Sequence, residues 1–285
     1  MIDERKLLAL YGLKYNPFIP GMPVEDLWRS PEMDAFFFRV EASVIDGGFA
    51  SVIGENGSGK SKVLQMLSEH LGNIGDVVVG VMERPQSKLG DWYRELGVLF
   101  GVELSPVNRY GGFKALRERW RAYIESTLFR PVLLIDEAQV IPSESLTEIR
   151  LLSSAHFDSE ALLATVLCGD NSLPERFRER ELTALGSRVR TRLYLGQRAV
   201  ADLRLFLDHL LDVSGAPALM TQALKETVIA HCGGNLRMLV GLCDELLANA
   251  AINEKKQLDE QLYFDTFGKS VPTGTSSSNR KRARR

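Results

Sequence analysis

The stretch Gly54-Glu55-Asn56-Gly57-Ser58-Gly59-Lys60-Ser61 fits G-x-x-x-x-G-K-[ST], and its surroundings give the match physical meaning. An apolar, β-branched run, Phe49-Ala50-Ser51-Val52-Ile53, precedes it. Val63, Leu64, Met66, Leu67 and Leu71 follow it at helical spacing. Strand, glycine loop and helix together make a phosphate cradle. The glycines let successive backbone N–H groups turn toward one point. Those donors and the helix N-terminus hold the α- and β-phosphates of a nucleotide. Lys60 then reaches the β/γ-phosphates, and the Ser61 hydroxyl ligates Mg²⁺.

Such a site also needs a carboxylate to hold the cation through water and a group to orient the attacking water. Pro131-Val132-Leu133-Leu134-Ile135-Asp136-Glu137 is an apolar strand ending in two acids, at the edge where open α/β sheets bind ligands. Glu137 beside Asp136 favours hydrolysis over mere nucleotide binding. A cation for the transferring phosphoryl group has candidates in Arg176, Arg178, Arg180, Arg188 and Arg190, and in Arg237 of Gly233-Gly234-Asn235-Leu236-Arg237.

Further strands read at 76–82, 161–168 and 190–195, and helices at 31–46, 89–100, 113–128, 144–156 and 173–185. Their alternation implies a parallel sheet covered on both faces. Residues 1–30, with Pro17, Pro20, Pro23 and several aromatics, read as an irregular N-terminal extension laid over a domain. Residues 105–112 read as a glycine-rich loop. Beyond 197 only helical spacing remains, at 198–213, 221–232, 235–252 and 258–267. The expected organisation is an extension over 1–30, an α/β core over 31–197, an all-α unit over 198–268 and a disordered tail over 269–285.

Composition excludes several classes. Hydrophobic and charged contents of 45% and 25% are those of a soluble globular protein. No apolar run approaches the roughly 20 residues that span a bilayer, and the charged N-terminus has no signal-peptide pattern, so a cytoplasmic location is expected. Cys168, Cys232 and Cys243 are scattered and read as reduced thiols, and no Cys/His spacing suggests a metal site. Of the 35 Lys and Arg residues, five fall within the last six positions, leaving an acid-rich body and a basic tail. Such a tail either contacts nucleic acid or is a solvated end.

The order of these features, with the Gly-Gly-x-x-Arg helix opening, resembles the AAA+ ATPases, and within them the ExeA-type ATPases and the transposition proteins TnsC, TniB, IstB and MuB. Tyr11-Gly12-Leu13 with Asn16-Pro17-Phe18 is similar to the opening of ExeA-type proteins. Leu133–Gln139 is similar to their Walker B segment, and Glu148–Ser153, Val166–Asp170, Gly233–Arg237 and Leu242–Asp244 continue the likeness. The resemblance covers roughly residues 8–265. It implies an AAA+ P-loop domain with a five-stranded parallel sheet between helices, followed by a small α-helical lid. It also implies a Mg²⁺-dependent ATPase in which Gly54–Ser61 bind ATP, Asp136 holds Mg²⁺ with Ser61 and Glu137 activates water. Arg237 is the matching sensor-2 arginine. Arg188 matches the finger inserted into a neighbour's site, which implies a homo-oligomeric ring or filament. For sensor 1, Asp170 is the nearest match and Asn171 an alternative, because relatives often carry other polar residues there.

ExeA itself is a longer, membrane-inserted secretion protein. The shorter chain and basic tail point instead to the transposition members, which assemble on duplex DNA and present target sites to a transposase. The positions matching their DNA face are Arg84, Lys88, Arg109, Tyr110, Lys114, Arg117 and Arg119, each of which reads equally as a solvated helix residue. The expectation is therefore an ATP-dependent, DNA-binding regulator of transposition with a transposase partner and no membrane. An ExeA-like assembly ATPase acting on proteins is the alternative, and a scaffold of the STAND signalling type is a weaker third.

Overall fold

The computed structural model describes residues 4–83, 88–104, 108–157 and 159–268. After helix α1 (Glu4–Tyr11) and an arm of turns come α2 (Pro31–Val44), β1 (Gly48–Gly54), α3 (Lys60–Gly72) and β2 (Val77–Met82). Then follow α4 (Leu89–Phe100), α5 (Arg109–Thr127), β3 (Arg130–Ile135), α6 (Ser143–Leu152), β4 (Ser154–Ala155), β5 (Glu160–Ala161) and β6 (Ala164–Gly169). Two single-turn helices, α7 (Leu173–Arg176) and α8 (Thr183–Gly186), lead to β7 (Val189–Leu195). The chain continues as α9 (Val200–Val213), α10 (Gln222–His231), α11 (Leu236–Ile252) and α12 (Glu260–Phe267).

The main sheet is five-stranded in the order β2-β3-β6-β1-β7, and every pairing in it is parallel. Alternation along each strand sends side chains to two different cores. Val132 and Leu134 of β3 face α2 and α3 with Phe36, Phe37, Leu67 and Leu71. Leu133 and Ile135 face α4, α5 and α6 with Trp92, Trp120 and Ile149. Both faces of β3 are dry, which is why it reads as an unbroken apolar run. Because β6 lies between β1 and β3, the ends of the phosphate-loop strand, the acid-bearing strand and the strand before Asp170 stand side by side on one edge.

The all-α C-terminal region has its own core, centred on Leu207, Leu224, Leu239, Leu246 and Leu262. The N-terminal arm contributes Leu13, Phe18 and Met22 to it. Polar contacts repeat the attachment: Tyr11 Oη donates to the Lys255 carbonyl at 2.9 Å and Asn16 Nδ2 to Asp244 Oδ1 at 2.8 Å. The arm therefore packs with the helical region, although in sequence it adjoins the α/β unit.

Four expectations change. Glu4–Tyr11 is helical, not irregular: the prolines begin only at Pro17 and Gly12 ends the helix at φ +66°. The loop read at 105–112 gives way to helix from Arg109, because Asn108 Oδ1 caps the first turn by accepting from Gly111 N at 2.8 Å. Gly112 is there for close packing, since a Cβ would meet the Tyr93 ring at 3.1 Å. The helix read at 173–185 is broken into α7 and α8. Phe177 and Leu182 are both buried, and a continuous helix would set them roughly 140° apart. The strand read at 161–168 starts at Ala164, because Glu160–Ala161 pair antiparallel with Ser154–Ala155 in a separate two-stranded sheet.

Candidate nucleotide-binding site

Gly57 and Gly59 have φ of +84° and +96°, a region costly for any other L-residue, and this turns the loop's amides inward. Lys60 opens α3 and is 6% exposed. Its Nζ donates to the carbonyls of Gly54 at 2.9 Å and Glu55 at 3.0 Å. Among the described residues no carboxylate pairs with it, so a buried ammonium is left with only neutral partners. Burying a charge that way is costly unless an anion completes the site. The Ser58 hydroxyl, also buried, has no hydrogen-bond partner among the described residues.

Across the edge, Ser61 Oγ donates to Asp136 Oδ2 at 2.7 Å, and Asp136 Oδ1 accepts from Glu137 N at 2.9 Å. Asp136 N in turn donates to the Met82 carbonyl at 3.0 Å, which pins the backbone at Asp136 to the end of β2. A hydroxyl and a carboxylate oxygen at this separation are the hard oxygen donors a hydrated Mg²⁺ prefers. Buried cation, inward amides and paired oxygens fit a Mg-bound polyphosphate. Cys168, fully buried on β6, lies beneath this pair. Burial first, and then the nearby Asp136 charge, push its thiol well above the usual range, so it stays protonated.

Glu137 sits just past β3 with φ +51° and ψ +38°, exposed, and its Oε2 accepts from Gln139 Nε2 at 2.6 Å. Asp170 follows β6 on the same edge. Its carboxylate turns back onto its own loop, accepting from Ser172 N at 2.9 Å and from the Ser172 hydroxyl. Asn171 beside it is exposed. Arg237 lies in the first turn of α11, against the phosphate loop: its N–H donates to the Gly57 carbonyl at 3.1 Å. Arg188 is elsewhere. It precedes β7, which runs parallel to β1, so a strand length of about 20 Å separates it from the loop at the other edge. It cannot serve its own chain's site.

A cavity of about 550 Å³ opens beside Lys60 and Ser61. Its inner wall is apolar, made by Phe18, Ile19, Met22 and Trp28 of the arm with Phe206 and Leu236 of the helical region. That wall suits a flat base. Lys62, on α3, holds the arm in place by donating to the Pro20 carbonyl at 2.7 Å. Sequence reasoning missed the arm's part in the cavity, as well as Asn235 and Gln139. The signal was available in the arm's aromatic and proline content, which has no business on a solvated tail.

The positions read as a DNA face scatter. Arg84 lies outside the described residues. Lys88 is exposed ahead of α4. Arg109 stands in the first turn of α5 and is engaged, its Nη2 donating to Glu148 Oε2 at 2.6 Å and its Nη1 pairing with Glu144 at 3.5 Å. Tyr110 is 79% exposed. Lys114 pairs with Glu118 at 3.7 Å. Arg117 and Arg119 lie over the rings of Phe113 and Tyr123 at 5.0 and 4.5 Å. On α5, Tyr110, Lys114 and Arg117 share a face, and Arg119 points roughly 160° away from Arg117.

Comparison with known proteins agrees with this geometry. Residues 45–177 match the family described as AAA domain. General secretion pathway protein A of Aeromonas hydrophila is 27% identical over 245 residues, covering 84% of this chain and 44% of that protein, so the chain spans less than half of its relative's length. Among solved structures, Cdc6p from Pyrobaculum aerophilum superposes with a TM-score of 0.67 at 14% identity, covering 85% of this chain and 67% of that one. The Aeropyrum pernix ORC2 protein, in ADPNP–ADP complexes, gives 0.68 at 15% identity, covering 90% and 72%. Drosophila ORC bound to DNA gives 0.66 at 17%, covering 92% and 65%. At such identities the structures speak for the fold alone. The chain thus has the AAA+ P-loop fold, and its residues 45–177 match the AAA domain.

Proposed function

We propose that the chain is a Mg²⁺-dependent ATPase of the ExeA-like kind, whose nucleotide cycle acts on protein partners. One observation carries the ATPase reading: Lys60, Ser61, Asp136 and Glu137 converge on one edge of the sheet, with Ser61 and Asp136 already paired at 2.7 Å. Bound Mg²⁺ would supply charge neutralisation at the β- and γ-phosphate oxygens. In this reading Ser61 and Asp136 hold the cation, and Lys60 leaves its two carbonyl partners for the phosphates. Glu137 takes up a proton from the attacking water, and Arg237 reports the phosphates to the helices beyond residue 197. Arg188, too far from its own site, acts on that of a second copy, and the active form is an oligomer.

The choice of protein partners rests on the secretion relative, which covers 84% of this chain. The second reading, a DNA-binding regulator that presents target sites to a transposase, is favoured by the exposed Lys88 and Tyr110 and by the basic tail. Phosphate release with and without duplex DNA separates the two. Under the first reading, wild-type protein hydrolyses ATP only with Mg²⁺, and Glu137→Gln falls by a factor on the order of 100. Duplex DNA leaves the rate and the oligomeric state unchanged. ATP-dependent assembly on DNA, weakening steeply with salt, would move the assignment to the second reading.

A further inference from the structure

Gln139 makes two side-chain contacts that no role assigned so far uses. Its Nε2 donates to Glu137 Oε2 at 2.6 Å, and its Oε1 accepts from the backbone N–H of Asp170 at 3.3 Å. One amide thus bridges the carboxylate after β3 and the first residue after β6. The bridge is braced from both sides. Arg176 of α7 donates to the Gln139 carbonyl at 2.6 Å and to Ser143 Oγ at 3.1 Å. The last residue of β6 is Gly169, where a Cβ would come within 2.8 Å of Gln139 Oε1. Any larger residue there would push the amide aside.

Glu137 needs such a partner. It is exposed, its backbone is held in the left-handed region by the tight turn of Ala138–Val140, and Gln139 provides the hydrogen bond to its carboxylate. A free glutamate on this turn would sample several rotamers, and a base swinging through water is seldom aligned with its substrate. The amide engages Oε2 and leaves Oε1 without a hydrogen bond among the described residues, on a side chain that borders the cavity.

We propose that Gln139 is a positioning residue: it fixes the Glu137 carboxylate for proton uptake and ties its orientation to the loop after β6. The proposal rests on the reading of Glu137 as the water-activating base. A shift of that loop, which carries Asp170, would move the amide and with it the base, so that events around Asp170 set the hydrolysis rate without touching the nucleotide.

Two substitutions separate the two hydrogen bonds. Gln139→Ala removes both. Gln139→Glu keeps an acceptor for Asp170 N–H but sets a carboxylate against Glu137. The measurements are kcat, affinity for a fluorescent ATP analogue, and hydrogen exchange of the Asp170 amide without nucleotide. Both variants should lose about tenfold or more in kcat with nucleotide affinity within about twofold of wild type. The Asp170 amide should exchange about fivefold faster or more in Gln139→Ala and at the wild-type rate in Gln139→Glu. Wild-type kcat in either variant overturns the proposal, as does a raised kcat, which would make Gln139 a restraint. Unchanged Asp170 exchange in Gln139→Ala removes the bridge itself. Glu137→Gln is measured alongside. If it hydrolyses ATP as the wild type does, the reading of Glu137 as the water-activating base fails, and the exchange data still report on the bridge.

Discussion

Asn235 Nδ2 donates to the Asn56 carbonyl at 2.9 Å, joining the first residue before α11 to the middle of the phosphate loop. The same side chain caps the helix, its Oδ1 accepting from Met238 N at 3.2 Å. One amide therefore starts α11 and moors it to the loop. Asn235→Ala loses both functions, and the missing cap alone should cost about 1 kcal/mol in urea unfolding. Asn235→Asp keeps a capping oxygen but loses the donor and turns a negative charge toward the Asn56 carbonyl. Its stability should stay near wild type while nucleotide affinity falls severalfold. Equal losses of stability in both variants would mean that the cap contributes nothing beyond the mooring.

Gly57 and Gly59 share a left-handed backbone but differ in what surrounds them. A Cβ at Gly57 would come 2.5 Å from Asn235 Oδ1 and 2.8 Å from Arg237 Cβ, whereas one at Gly59 would meet Leu236 at 3.5 Å. Alanine at either site carries the left-handed penalty of about 1 kcal/mol. Alanine at Gly57 must also displace the start of α11. Tryptic cleavage after Arg198, whose N–H is held by the Gly234 carbonyl at 3.0 Å, should speed up in Gly57→Ala and not in Gly59→Ala. Equal cleavage rates would show that the contact with α11 is not what the glycine protects.

The elements legible in the sequence were those whose cause is local. The three central strands β1, β3 and β6 announced themselves because each is buried on both faces, and the phosphate loop because only glycine tolerates its backbone. Residues 105–112 misled because Gly111 and Gly112 were read as breakers. What decides their conformation is the Asn108 cap and the Tyr93 ring, 15 or more residues away for the latter. Which region the arm would cover was not legible for the same reason: Tyr11 meets Lys255 and Asn16 meets Asp244 across more than 200 residues. Gln139 stood within a segment whose likeness was recognised, yet its task depends on Asp170, placed beside it only by the strand order.

Arg109 should behave as a stabilising residue before it behaves as anything else. Its guanidinium is held to Glu148, whose side chain is 3% exposed and also accepts from the buried Tyr93 hydroxyl. Burial first, and then the Glu148 hydrogen bond and charge, push the Tyr93 hydroxyl well above its ordinary range. Arg109→Ala strands a buried carboxylate and should cost roughly 2–4 kcal/mol. Arg119→Ala, on the outer face of the same helix, should stay within about 0.5 kcal/mol. Urea midpoints of the two variants test this directly. Any loss of DNA affinity in Arg109→Ala has to be read against that destabilisation, whereas Lys88→Ala and Arg119→Ala give a clean reading.

The last helix carries a pH-dependent anchor. Asp259 caps α12, its Oδ1 accepting from Leu262 N at 2.8 Å, with Lys255 Nζ at 3.3 Å. The backbone hydrogen bond from Leu262 is the main cause that holds its carboxyl below the ordinary 3.8, with the Lys255 contact adding to it. Since the folded-state value lies below the unfolded one, the charged form is the stabilising one. Its contribution is complete above the unfolded value and is lost as pH falls through the folded one. Asp259→Asn keeps the cap and removes only the charge. It should be slightly less stable than wild type at pH 7 and equally so at pH 5, by no more than about 1 kcal/mol for an exposed helix end. Below pH 3.8 the gap should close as the wild-type carboxyl takes up its proton. A gap in urea midpoints that widens toward acid would mean that Asp259 is stabilised in its protonated form and that the cap is not held by the carboxylate.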